Sequence, residues 1–208
     1  MGKAFLFVLF VVPLSAQQVV DRIVARVEDD IILLSEVREL GRYQQLVEGQ
    51  MASEARLLDQ LIDQWMVTSE AATGHYPRPS EADVDGALER LEKQLGGADT
   101  YGGRLRELGL STAAVRRLVE RQMYLTRYLD YKFRPEVQVD AAAIEKYYRE
   151  QLAPSLAGKG QGAPPLETVQ DQIRELLTER GINEHATRWL EETRSRLRVE
   201  GEGPGQQP

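Results

Sequence analysis

The chain has 208 residues, 42% of them hydrophobic and 28% charged, with a formal net charge of −7. That composition is globular and long enough for one sizeable domain or two small ones, and its acidic balance argues against nucleic acid as the main partner, because phosphate binding needs a net basic face. There is no cysteine, which excludes disulfides, thiolate catalysis, cysteine-based zinc sites and a lipoprotein anchor.

The N-terminus reads MGKAFLFVLFVVPLSAQQ. Lys3 supplies a short positive region, Ala4 to Leu14 an apolar run, and Ser15-Ala16 the small residues a cleavage site requires. The run is too short to span a bilayer, so residues 1–16 are expected to be a secretory signal peptide. Its removal would leave an exported, periplasmic product with no stable membrane insertion.

VVDRIVARVEDDIILL follows. Ile23, Ala25 and Val27 alternate with Val24, Arg26 and Glu28, and EDD can turn, so a β-hairpin is expected. Ser35 fits an N-cap for a helix through about Val47, with Glu36 in its first turn. In SEARLLDQLIDQWMVTSEAATG, the residues Leu58, Leu61, Ile62, Trp65 and Met66 form one stripe, and Gly74 stops the helix. Prolines break the chain before Ser80, which with Asp83 has capping-box spacing. Val84, Ala87, Leu88, Leu91 and Leu95 then make the next buried face. A short helix from about Thr100 to Leu108 ends at Gly109.

STAAVRRLVERQMYLTRYLDYKFRP is apolar on two sides. At 100° per residue Val115, Leu118, Val119, Leu125, Leu129 and Phe133 share one side, and Tyr124, Tyr128 and Tyr131 lie opposite. Such a helix needs two partners and is expected to be central. PEVQV is an extended link, and Asp140 caps the helix AAAIEKYYREQL. Residues 153–165 read as a slack Gly- and Pro-rich connector. Two further helices are expected, LETVQDQIRELLTERG and INEHATRWLEETRSR, with LRVE as a last strand. The tail 201–208 is low-complexity and is expected to be disordered.

No catalytic constellation is visible. There is no Gly-rich phosphate loop, no Gly-x-Ser-x-Gly and no histidine pair at metal spacing. The only histidines, His75 and His185, have charged and loop neighbours and read as surface groups. Adjacent acids such as Asp29-Asp30 and Glu191-Glu192 read as solvated charge. The adaptable side chains are more telling. Met66 and Met123 repack around varied apolar groups, and tyrosine tolerates partial exposure. The stripe Tyr124, Tyr128, Tyr131 is therefore either a groove for polypeptide or core against the C-terminal helices.

VVDRIVARVEDDIILLSEV after a signal peptide resembles the opening of the SurA-type periplasmic chaperones. LLDQLIDQWMVTSEAATGHYPRPSEADVDGALERL is similar to that family's second and third helices. VQVDAAAIEKYYRE resembles the segment leading into its parvulin-type peptidyl-prolyl isomerase domain, and ETVQDQIRELLTERGINEHATRWLEETRSRLRVE the segment that follows it. The departure lies between these last two: residues 153–165 stand where the isomerase domain would be, and so few residues cannot form one.

The resemblance implies a mainly α, SurA-like chaperone module with a small N-terminal hairpin. Residues 17–152 would form its N-terminal part, and residues 166–200 the C-terminal helices that pack back on it. It further implies an ATP-independent holdase, without cofactor or isomerase activity, that binds unfolded exported or outer-membrane proteins. The rival readings are an isomerase-related enzyme with a degenerate site and a structural subunit of an envelope complex.

Overall fold

The computed structural model describes residues 21–158, 160 and 162–201. The leader 1–16 and tail residues 202–208 lie outside the described residues. The chain is mainly helical, with one small antiparallel sheet.

Strands β1 (Ile23–Val27) and β2 (Asp30–Leu33) form the expected hairpin. Its turn places Glu28 at φ 53, the left-handed conformation that tight hairpin turns require. Ile23 pairs with Leu33 and Ala25 with Ile32, leaving Val24 as an extra residue. This bulge breaks the strict alternation read from sequence, so Val24 and Ala25 are both buried. β3 (Val199–Gly201) pairs antiparallel on the other side of β1, giving the order β2-β1-β3. Gly201 is thus the end of a strand, not the start of the tail.

Helix α1 (Leu34–Glu48) follows β2 without a break. Ser35 was expected to cap it, but Leu33 holds that position. The strand's last residue already has the extended backbone a cap needs, and the Glu36 carboxylate accepts from the Leu33 N–H at 2.8 Å. The Ser35 N–H instead donates to Asp21. α2 (Glu54–Thr73) is capped by Ser53 and buries Leu57, Leu61, Ile62, Met66, Val67 and Ala71. The predicted stripe is rotated, so Leu58 and Trp65 are only half-buried. α3 (Glu81–Gln94) begins with the capping box of Ser80 and Asp83 that the spacing predicts. α4 (Ala98–Leu108) ends at Gly109, φ 62.

α5 (Thr112–Phe133), capped by Ser111, is the central helix. It supplies a residue to every buried cluster. Leu118 joins the sheet, α1 and α2; Val115 and Val119 join α3 and α4; Tyr124 and Tyr128 join Val67 and Ala71 of α2. Phe133 joins Ile182 and Ala186 of the C-terminal helix.

After a 3-10 turn at Arg134–Glu136 come α6 (Ala141–Tyr147), a π-helical turn at Tyr148–Leu152 and α7 (Ala153–Ala157). The connector is therefore shorter than expected, since residues 153–157 are helical. It is also clasped: the Tyr148 hydroxyl donates to the Pro164 carbonyl at 2.7 Å.

The two predicted C-terminal helices are one, α8 (Leu166–Arg194). The expected break after Gly181 is absent, and the glycine lies inside the helix. A Cβ there would lie 2.6 Å from Val137 Cγ1 and 3.4 Å from Val137 Cβ. The missing side chain lets the link after α5 press against α8. Trp189 of α8 then packs on three of the four clusters, and Arg134 makes a two-pronged ion pair with Glu175 at 3.1 and 2.8 Å. His185 is half-buried rather than solvated, stacked on Phe133 with Nδ1 3.1 Å from Glu136.

Gly181→Ala should lower stability even though alanine gains about 1 kcal/mol of helix propensity. Overpacking against a stiff β-branched neighbour costs about 1–3 kcal/mol. The expected result is a Tm fall of a few degrees that Val137→Ala added to Gly181→Ala largely reverses. A Tm raised by Gly181→Ala alone would contradict the packing role.

Candidate functional site

Along the leucine side of α5, Leu118, Leu125 and Leu129 are interleaved with Arg121, Gln122 and Thr126. Their spacing of three and four residues places them on one line along the helix. With α1 and α2 they line a cleft of about 260 Å³. Its walls alternate in chemistry. Leu40, Leu118, Leu125 and Leu129 are apolar, Gln44, Gln60, Gln64 and Gln122 present amides, and Glu48 and Arg121 add one charge of each sign.

Four further clefts share residues with this one: one of about 820 Å³ through Gln44, Glu48 and Gln60, lined also by Arg56, Asp59 and Asp63, one of about 200 Å³ through Leu118 and Arg121, lined also by Glu36 and Glu39, and two more. Toward the sheet, Gln64 and Arg121 also line a cleft of about 160 Å³ with Ile31, Ile32 and Trp65. Toward α3, Tyr43, Gln122 and Thr126 also line one of about 390 Å³ with Val47, Ala87 and Met123. The surface is thus an extended groove along α5, not a closed pocket. Ile31 and Val47 are among the most exposed large apolar residues, at 45% and 44%.

Hydrogen bonds fix most of the amides. Gln44 Nε2 donates to Gln60 Oε1 at 2.8 Å, bridging α1 and α2, and Gln44 Oε1 accepts from the Ala52 N–H. The Tyr43 hydroxyl donates to Gln122 Oε1 at 3.2 Å, and burial pushes the Tyr43 phenol pKa up, keeping the hydroxyl a donor. Gln64 differs. Its Oε1 is buried and has no hydrogen-bond partner among the described residues.

At the α3 end, Arg127 lines the wider cleft and binds Asp83 at 3.1 Å. Hydrogen bonds from Arg127 and then Ser80 hold the Asp83 carboxyl down at about 2, so this carboxylate is committed to joining α3 to α5. Among the described residues no group of three acidic or histidine side chains is placed to hold a metal ion, and no helix is long and apolar enough to cross a membrane.

The residues singled out from sequence divide. Tyr124 and Tyr128 are core, 4% and 6% exposed, packed on Val67 and Ala71 of α2 with Tyr76 as a lid. The Tyr76 ring is 5.9 Å from Tyr124 and 5.4 Å from Tyr128, and the Tyr124 hydroxyl donates to the Tyr76 carbonyl. Of the two readings of the stripe, burial describes these two. Tyr131 is 65% exposed but lies 5.1 Å from the same Tyr76 ring. Met66 is core beneath the sheet. Met123 alone lines the groove system.

The glutamines and Arg121 were missed because polar residues on a helix normally read as solvated. The available signal was their interleaving with Leu118, Leu125 and Leu129 on one strip. The chain matches no protein-family model and no curated protein.

Truncating the buried tyrosines should damage the fold. Tyr124→Ala and Tyr128→Ala should each cost about 3–5 kcal/mol, and Tyr124→Phe about 1 kcal/mol for the lost hydrogen bond. Tyr131→Ser should stay within about 0.5 kcal/mol. Urea denaturation of the four variants checks the order, and equal losses at positions 124 and 131 would contradict it.

Proposed function

We propose that this protein is an ATP-independent periplasmic holdase for unfolded exported polypeptides, outer-membrane proteins among them, without isomerase activity. The single observation that carries the reading is the open groove along α5, where aliphatic side chains alternate with glutamine amides. An unfolded chain offers two things a folded one hides, apolar side chains and unpaired peptide groups. Leucines receive the first, and amides, which both donate and accept, suit the second. Neither demands a particular sequence, which a holdase with many clients requires.

The chain's organisation supports the SurA-type resemblance. Its N-terminal hairpin and helices share one core with α8 and β3, as in a module completed by its C-terminal segment. Where that family carries an isomerase domain, this chain has a short clasped connector. Holding needs no cofactor, because binding alone lowers the concentration of chains free to aggregate.

The test is light scattering of a urea-unfolded outer-membrane β-barrel protein diluted into buffer. Stoichiometric protein should suppress aggregation without nucleotide, and added ATP should change nothing. In a protease-free assay a proline peptide should isomerise at the uncatalysed rate. Absence of suppression at several-fold molar excess would sink the proposal, and catalysed isomerisation would move the protein to the rival, enzymatic reading.

A further inference from the structure

Among the described residues β2 pairs with β1 alone, so its other side is an open edge of the sheet. Which of its peptide groups face outward follows from the pairing of β1 with β3. The Glu28 N–H donates to the Arg198 carbonyl at 3.1 Å, so Glu28 points toward β3. Direction alternates residue by residue along an antiparallel ladder. Arg26 therefore points toward β3 as well, and Ala25 and Val27 toward β2. Ile31 stands opposite Arg26, in a pair that exchanges no hydrogen bonds, and its N–H and C=O both point out of the sheet. Leu33, two residues on, points the same way, and the Glu36 carboxylate accepts from its N–H at 2.8 Å. Ile31 has no backbone partner on that side among the described residues.

A bare edge invites another strand, and proteins blunt the edges that must stay single. β2 is blunted at its ends and not in its middle. At the turn end Trp65 Nε1 donates to the Asp30 carboxylate at 2.7 Å, and at the helix end Glu36 covers Leu33. Between these clamps Ile31 is 45% exposed and lines the cleft of about 160 Å³, together with Ile32, Leu61, Trp65, Glu36 and Arg121. Leu61 and Trp65, four residues apart on α2, share one side of that helix and give the open edge an apolar floor.

We infer that β2 takes up an extended segment of an unfolded polypeptide as a fourth strand of the sheet, the residue opposite Ile31 exchanging both hydrogen bonds with it. This inference rests on the holdase reading and deepens it. The vacancy is one N–H and one C=O side by side on a strand, which extended main chain matches whatever its sequence. A folded protein has already paired those groups in its own helices and sheets, so the edge selects for absence of fold.

The same geometry fixes the side chains of the incoming segment, because cross-strand partners share a face. Ile31 shares its face with Arg26 and Glu200, both exposed, whereas Ala25 and Ile32 on the other face are buried toward α2. The residue bonded to Ile31 thus turns its side chain outward. Its two neighbours turn theirs down onto Leu61 and Trp65. In a segment that alternates apolar and polar residues, the peptide groups that bond to β2 belong to the polar ones.

The test uses three fluorescent ten-residue peptides of one alternating leucine–serine sequence ended by lysines: unmodified, N-methylated at the serines, and N-methylated at the leucines. Anisotropy titrations use the full wild-type chain and the variants Ile31→Pro and Ile31→Val, with Tm measured for each. On wild type, methylation at serine should weaken binding about tenfold or more, since it removes a bonded N–H and puts a methyl against the edge. Methylation at leucine points away from β2 and should change affinity less than about twofold. Ile31→Pro deletes an N–H that the hairpin does not use, and should bind the unmodified peptide about fivefold more weakly than Ile31→Val does.

Equal effects of the two methylation patterns on wild type would overturn the inference, as would equal binding by folded Ile31→Pro and Ile31→Val. So would no binding of the unmodified peptide; a wild-type dimer in sedimentation that Ile31→Pro dissolves would then give the edge to a second copy of the chain. If Ile31→Pro fails to fold, the contrast between the two methylation patterns on wild type decides. Light scattering separates this failure from that of the holdase reading. Wild type that suppresses aggregation but ignores the methylation pattern refutes strand addition alone, whereas wild type that suppresses nothing refutes both.

Discussion

The fold depends on one helix having nowhere to hide. α5 carries apolar or aromatic groups around most of its circumference, and each group must be taken from water by a different neighbour. Val115 and Val119 draw in α3 and α4, Leu118 the sheet with α1 and α2, and Phe133 the C-terminal helix. The tyrosine side is the most demanding. Burying Tyr124 and Tyr128 is favourable only if the polar ends find partners. Tyr76, held beyond the end of α2, gives its carbonyl to Tyr124 and its ring to both. Ends of the chain far apart in sequence are thereby committed to one core.

The groove is a consequence of the same crowding. The strip from Leu118 to Leu129 that faces α1 and α2 is interrupted by Arg121, Gln122 and Thr126. These cannot be buried cheaply, and a cleft lies over them. What remains is a surface neither core nor ordinary solvent face. Gln44 and Gln60 hold each other and the Tyr43 hydroxyl holds Gln122, whereas Gln64 Oε1 has no partner among the described residues. Rigid placement matters for a binding surface, because side chains already fixed lose little further entropy when a ligand arrives.

Much of the architecture was legible in the sequence because strong local signals agreed with tertiary packing. The hairpin, the box at Ser80 and Asp83, the Asp140 cap and the two-sided character of α5 are of this kind. Where reading failed, a distant contact overrode a local rule. Gly181 is a stop signal by itself, yet Val137, more than forty positions earlier, occupies the space a side chain would fill and the helix runs on. Ser35 is a better cap than Leu33 in isolation, yet β2 delivers Leu33 already extended. The site was less legible than the fold. Two tyrosines and Met66 are core for reasons of three-dimensional neighbourhood, and glutamines become site residues only once three helices are known to converge on them.

The central claim is that unfolded polypeptide lies along α5, between α1 and α2. Site-specific photocrosslinking tests it directly. Thr126 is exposed and borders both the central and the α3-side cleft, whereas Arg188 is exposed on α8 outside every cleft described. With benzoylphenylalanine at either position, an unfolded outer-membrane protein diluted from urea should be captured from position 126 and not from position 188, and its folded, detergent-embedded form from neither. Equal capture from both positions, or capture from position 188 alone, would contradict the account.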